Sequence, residues 1–148
     1  MAETSEPWSV RLEIPSERGA GQAFLGQMLD HLHAQHWPDA EVFGIHLAVE
    51  EAVVNAAHHG NCFAEDKRVR ILCEVKPERF WIEIEDEGCG FDPYAVPDCT
   101  AEDRLEVPSG RGVMLMRAFM NTIEYNTCGN RVRMEKLRGV PVDVEDED

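Results

Sequence analysis

The sequence predicts an α+β domain: a two-layer α/β sandwich whose mixed, mostly antiparallel sheet carries helices on one face. Short segments show apolar residues at every second position, and two longer ones show them at helical spacing. The two kinds are segregated in the order strand, two helices, hairpin, loop with a short helix, hairpin. The length of 148 residues fits one domain with one core, taken as residues 1–148 with the core at about 8–138.

Trp8, Val10, Leu12 and Ile14 alternate with Ser9, Arg11 and Glu13, the pattern of a half-buried strand that Pro15 ends. Ser16 is placed to cap a following helix, in which Ala20, Ala23, Phe24, Gln27, Met28 and His31 recur at helical spacing. Gly19, Gly21 and Gly26 mean that packing rather than propensity must stabilise it. Asp39 is the next candidate N-cap. The helix over 41–59 has an apolar stripe of Ile45, Val49, Ala52, Val53 and Ala56, and Gly60 is its expected stop.

Val69, Ile71, Cys73 and Val75 lead through the turn Lys76-Pro77-Glu78-Arg79 into Phe80, Ile82 and Ile84, a hairpin. Asp86 continues the inward register of the second strand, and an inward carboxylate needs a partner. Residues 93–112 are irregular and polar; a loop of that length is usually functional or disordered. Helical character returns over 114–120. Segments 123–127 and 132–137 then flank a turn at Cys128-Gly129-Asn130.

Composition narrows the function. A formal net charge of −15 repels phosphate backbones and argues against nucleic-acid binding. No apolar run approaches the roughly 18 residues of a membrane span, and the N-terminus lacks a signal-peptide core, so a cytoplasmic protein without a membrane partner is expected. Five cysteines without a CxxC pair suit a reducing compartment. His58, His59 and Cys62 read as a helix end running into a loop, since no second ligand pair has zinc spacing. The acidic run at 141–148 reads as a solvated, disordered end.

Three segments carry chemistry. Glu51 and Asn55, four apart, share a helix face off the apolar stripe, where a carboxylate and an amide can serve a proton acceptor and a hydrated magnesium ion. Asp86-Glu87-Gly88-Cys89-Gly90 follows a strand directly, and Gly88 and Gly90 permit close backbone approach to a ligand. Ser109-Gly110-Arg111-Gly112 leads into a helix N-terminus, whose free amides and dipole favour phosphate. Its spacing is neither that of a P-loop nor that of a dinucleotide fingerprint.

Glu51-x-x-x-Asn55 on a helix, Asp86-x-Gly88-x-Gly90 after a strand and Ser109-Gly110-Arg111-Gly112 before a helix, in that order, resemble the Bergerat (GHKL) ATP-binding fold shared by gyrase and histidine kinases. The segments EAVVNAAHHGN, DEGCGFDP and SGRGVMLMRAFMNTIEY are most similar to the compact branch of anti-sigma-factor serine/threonine kinases, over roughly Trp8 to Leu137. The resemblance implies ATP and Mg²⁺ as cofactors, with Asn55 as the magnesium ligand and Glu51 as the general base. Glu50 is a rival base, but it stands five from Asn55 rather than four. The resemblance also implies that Asp86 binds the adenine amine, that Gly88 and Gly90 floor its pocket, and that Ser109, Gly110, Arg111 and Gly112 close over the phosphates. Residues 98–108 would form a mobile lid, with Arg104 or Arg111 at the γ-phosphate. The implied partners are an anti-sigma-factor antagonist phosphorylated on serine, a sigma factor, and a second copy of the chain. A nucleotide-sensing module without kinase activity and an orphan histidine-kinase catalytic domain are the alternatives.

Overall fold

The computed structural model describes residues 7–17, 19–57, 67–87, 116–126 and 130–142. Their elements are β1 (Trp8–Pro15), α1 (Gln22–Ala34), α2 (Asp39–Asn55), β2 (Arg68–Val75), β3 (Arg79–Asp86), β4 (Thr122–Tyr125) and β5 (Arg131–Leu137). The strands form one sheet in the order β1-β2-β3-β5-β4. Every described pairing is antiparallel, in keeping with the mostly antiparallel sheet expected.

Alternation along each strand divides the sheet into two unlike faces. Val69, Ile71, Cys73 and Val75 of β2, Phe80, Ile82 and Ile84 of β3, and Val132 and Met134 of β5 are buried with Phe24, Met28 and Leu32 of α1 and Ile45, Val49, Ala52 and Val53 of α2. The outer face is a lattice of opposite charges. Arg70 bridges Glu13 and Glu85 at 3.6 and 3.2 Å, and Arg133 meets Glu83 at 2.8 Å. Arg79 meets Glu74 at 3.3 Å and also pairs with Glu135. Such exposed pairs add little energy individually, but a shifted register would separate them.

Two expected helix caps are corrected. Ser16 does not cap α1: its hydroxyl donates to the Lys67 carbonyl at 2.9 Å, and the helix begins only at Gln22, after Gly21. Ser16 instead joins the end of β1 to the approach to β2. At α2 the N-cap is Pro38, and Asp39 is the first helical residue, where its charge favours the positive end of the helix dipole. Helix α2 is described to Asn55, and Ala56 and Ala57 continue in a wider π turn; the expected stop at Gly60 lies outside the described residues.

One end of the sheet is tied together by two cations. Buried Lys136 pairs with Glu41 at 3.3 Å and donates to the carbonyls of Leu137 and Val140. Arg138 donates to the carbonyls of Gln35, His36 and Pro77 and lies over the Trp37 ring. The end of β5 is thereby fastened to the α1–α2 connection and to the β2–β3 turn.

Helix α2 also accepts a close neighbour at Gly44, where an added Cβ would stand 2.6 Å from Cδ1 of Phe119. A Cβ at Gly26 in α1 would meet nothing within 4 Å. The two glycines should therefore respond oppositely. Gly26→Ala is expected to raise stability by about 0.5–1 kcal/mol through helix propensity. Gly44→Ala should lower it by about 1–2 kcal/mol, because overpacking exceeds the same propensity gain, and Phe119→Leu should recover part of the loss. Urea unfolding of the variants checks both signs.

Candidate functional site

The last turns of α2, the end of β3 and the end of β4 lie at the end of the sheet opposite the Lys136–Arg138 fastening. Three contacts fix this arrangement. Gly21 seats the start of α1 against Val53 of α2 and Ile14 of β1, with Cβ-position distances of 3.0 and 3.5 Å. Ile14 pairs with Val69, and Val69 with Asp86, so this packing lies on the transverse row that ends β3. On the other side of α2, Phe119 packs at Gly44, and β4 begins three residues later.

Gly44, Glu51 and Asn55 follow one another at helical intervals of seven and four, which sets them on one stripe of α2. The stripe that receives Phe119 thus continues to the two polar residues, and both are half-buried. Glu50 points elsewhere. It lines a cleft with Ile14, Glu17, Leu25, Val53 and Ala57, and its carboxylate lies 3.9 Å from His46. Adjacent carboxylates are therefore assigned to opposite flanks of one helix.

Asp86 is buried, 7% exposed, in the inward register of Phe80, Ile82 and Ile84. It is the one polar member of that inward row of β3. Gly88, Gly90, Ser109, Gly110, Arg111 and Gly112, and with them the lid at 98–108, lie outside the described residues, as do His58, His59 and Cys62.

The structure adds residues that the sequence reading did not single out. Tyr125, half-buried at the end of β4, has its phenol pushed up to about 12, chiefly by burial; the Arg117 charge opposes the shift and the Glu51 charge adds to it. Glu51 and Arg117 are thus each within electrostatic reach of Tyr125. Asn126 and Asn130 flank the β4–β5 turn and bond to each other, and Asn130 also bonds to the Asp86 carbonyl. A polar-tipped aromatic at the inward end of a short strand was the available signal for Tyr125. The turn at Asn130 was legible, but its reach across to β3 was not.

An antiparallel sheet with helices packed on one face is consistent with the layout of a histidine kinase-like ATPase domain. The chain belongs to that family: the model of the histidine kinase-like ATPase domain matches residues 14–136. An ATPase domain implies ATP as the ligand. Among curated proteins the chain is similar to the Anti-sigma F factor of Clostridium novyi (strain NT), 33% identical over 102 residues, which span 65% of this chain and 71% of that protein. The Anti-sigma F factor of Clostridium perfringens (strain 13 / Type A) is 36% identical over 65% of this chain and 72% of its own. That of Oceanobacillus iheyensis is 32% identical, over 65% and 69%. Among the described residues, no helix is long and apolar enough to cross a membrane.

The Tyr125 shift predicts a pH dependence. The folded phenol ionises later than the ordinary value of 10.0, so its contribution to stability is complete below pH 10 and is lost as pH rises toward about 12. Tyr125→Phe should remove this part of the alkaline loss, measured as urea midpoints between pH 8 and 12, and should delete a late phenolate step in the ultraviolet titration.

Proposed function

We propose that the protein is an ATP-dependent serine/threonine kinase acting as an anti-sigma factor, which phosphorylates a serine of an anti-sigma-factor antagonist and sequesters a sigma factor in a partner switch. The observation that carries this reading is the placement of Glu51 and Asn55 on one stripe of α2 at the sheet end where Asp86 faces inward. The similarity to anti-sigma F factors supports the choice of partners. The reading includes a cytoplasmic homodimer.

In this mechanism the Asp86 carboxylate accepts from the exocyclic amine of adenine. A guanine carbonyl in the same place would face an acceptor and leave polar groups unpaired, which costs about 1–3 kcal/mol. Asn55 offers one half-buried amide oxygen on the stripe that carries Glu51. That suits a magnesium ion, which keeps several waters and is bound largely through substrate phosphates. When bound, the ion supplies charge neutralisation at those phosphates. Glu51 orients the substrate serine and takes its hydroxyl proton. The serine oxygen bonds to the γ-phosphorus as the bond to the β–γ bridging oxygen breaks, giving phosphoserine and ADP. Positioning and charge neutralisation account for most of phosphoryl-transfer catalysis, so this sparse equipment is sufficient.

The roles separate by mutation. Glu51→Gln is expected to keep ATP affinity and lose about 10²–10⁴-fold in transfer, because a base acts mainly in the transition state. Asn55→Ala should lose magnesium-dependent binding as well as transfer. Calorimetry with ATP and transfer of labelled phosphate to an antagonist protein measure the two effects. Wild-type turnover in Glu51→Gln would move the role to Glu50, and label on a histidine would replace the serine-kinase reading.

A further inference from the structure

Asp86 is held from behind by an arrangement that ordinary strand pairing would not produce. The β3–β5 ladder ends at the pair Glu85 and Arg131, so the next rung sets Asp86 opposite Asn130. Half of that rung is regular: the Asp86 N–H donates to the Asn130 carbonyl at 2.9 Å. In a regular rung the Asn130 N–H would return the bond. Here it donates to Oδ1 of Asn126 at 3.0 Å, and the Arg131 N–H joins it at 3.1 Å. Both main-chain donors are thus spent on closing the β4–β5 turn. The Asn130 side chain takes over, and its Nδ2 donates to the Asp86 carbonyl at 3.1 Å. Nδ2 of Asn126 donates to Oδ1 of Asn130 at 2.8 Å, which fixes the orientation of that amide.

We propose that Asn130, steadied by Asn126, is a positioning residue that sets the Asp86 carboxylate for purine selection. The proposal rests on the reading of Asp86 as the adenine acceptor. Asn130 bonds to both peptide groups that flank the Asp86 Cα, the N–H before it and the carbonyl after it. Holding those two planes holds φ and ψ, and with them the direction of the Cα–Cβ bond from which the carboxylate extends. Asp86 is the last residue of β3, and the Asn130 side chain replaces one of the two rung bonds that β5 would give it. Strand ends fray unless tied. Without the side-chain tie the carboxylate would sample more directions, and a geometry-dependent choice between an amine and a carbonyl would weaken.

The test compares ATP and GTP affinities by calorimetry for the full chain and four variants. Wild type should favour ATP, and Asp86→Asn should abolish most of the preference. Asn130→Ala should reduce the ATP-to-GTP affinity ratio roughly three- to ten-fold, the worth of one oriented hydrogen bond, with GTP affinity unchanged. Asn126→Ala should reduce the ratio in the same direction, and it supplies the readout if Asn130→Ala does not fold. Asn121→Ala is the structural control. Asn121 makes a comparable pair of bonds, from the Leu137 N–H and to the Pro141 carbonyl, at the other end of the same hairpin. It should lower the melting temperature without moving the ratio. Asp86→Asn losing selectivity while Asn130→Ala and Asn126→Ala keep it would overturn the positioning role alone. Equal movement of the ratio in Asn121→Ala would also overturn it, because general loosening would then explain the effect. Equal ATP and GTP affinity in wild type would overturn both this role and the reading of Asp86.

Discussion

The register of β3 is the constraint on which the rest of the molecule depends. It is an interior strand of the sheet, hydrogen-bonded to β2 and β5, and its inward residues Phe80, Ile82 and Ile84 are buried to 1% exposure or less. A slip of one residue would turn all three to the charged face and Asp86 with them. Two independent patterns oppose the slip. The inner face would expose its largest apolar side chains, at about 1.5–3 kcal/mol each. The outer face would lose the opposition of Glu83 to Arg133 and of Glu85 to Arg70. The burial energy dominates, and the ion pairs supply discrimination between registers rather than stability.

Helix α2 joins this register to chemistry by using three of its sides. One side is core, with Ile45, Val49 and Ala52 nearly inaccessible. A second accepts Phe119 at Gly44 and carries Glu51 and Asn55 farther along. A third holds Glu50 in the cleft toward α1. A helix buried on one side alone would be free to rotate by a fraction of a turn, and the polar stripe would move with it. The close seat at Gly44 and the contact of Val53 at Gly21 together remove that freedom.

Most of the fold was legible because it rests on short-range periodicity. The inward rows of β2 and β3, the apolar stripe of α2 and the two hairpins all follow from residues two, three or four apart. The helix starts were less legible. Ser16 has the chemistry of a cap, but its hydroxyl serves the Lys67 carbonyl, a partner 51 residues away that no local pattern announces. The candidate site divides in the same way. Glu51 and Asn55 were visible as a four-residue interval, and Asp86 as a carboxylate in an apolar register. Tyr125 and Asn130 act across strands, and cross-strand neighbours are set by the register of the whole sheet rather than by their own surroundings in sequence.

The fastening around Lys136 and Arg138 also decides where the chain departs. The last described residue, Val142, follows the end of β5, whereas Asp86 lies at the far end of the neighbouring, oppositely directed strand. Eight residues of β3 separate the two ends, a span of about 25 Å at 3.3 Å per residue. Physiological salt screens charges over about 8 Å. Val142 therefore stands about three screening lengths from the Asp86 end of the sheet, too far for a charge at its own position to be felt there. By the same geometry a fluorophore attached at position 142 would sit at the end of the sheet away from Asp86.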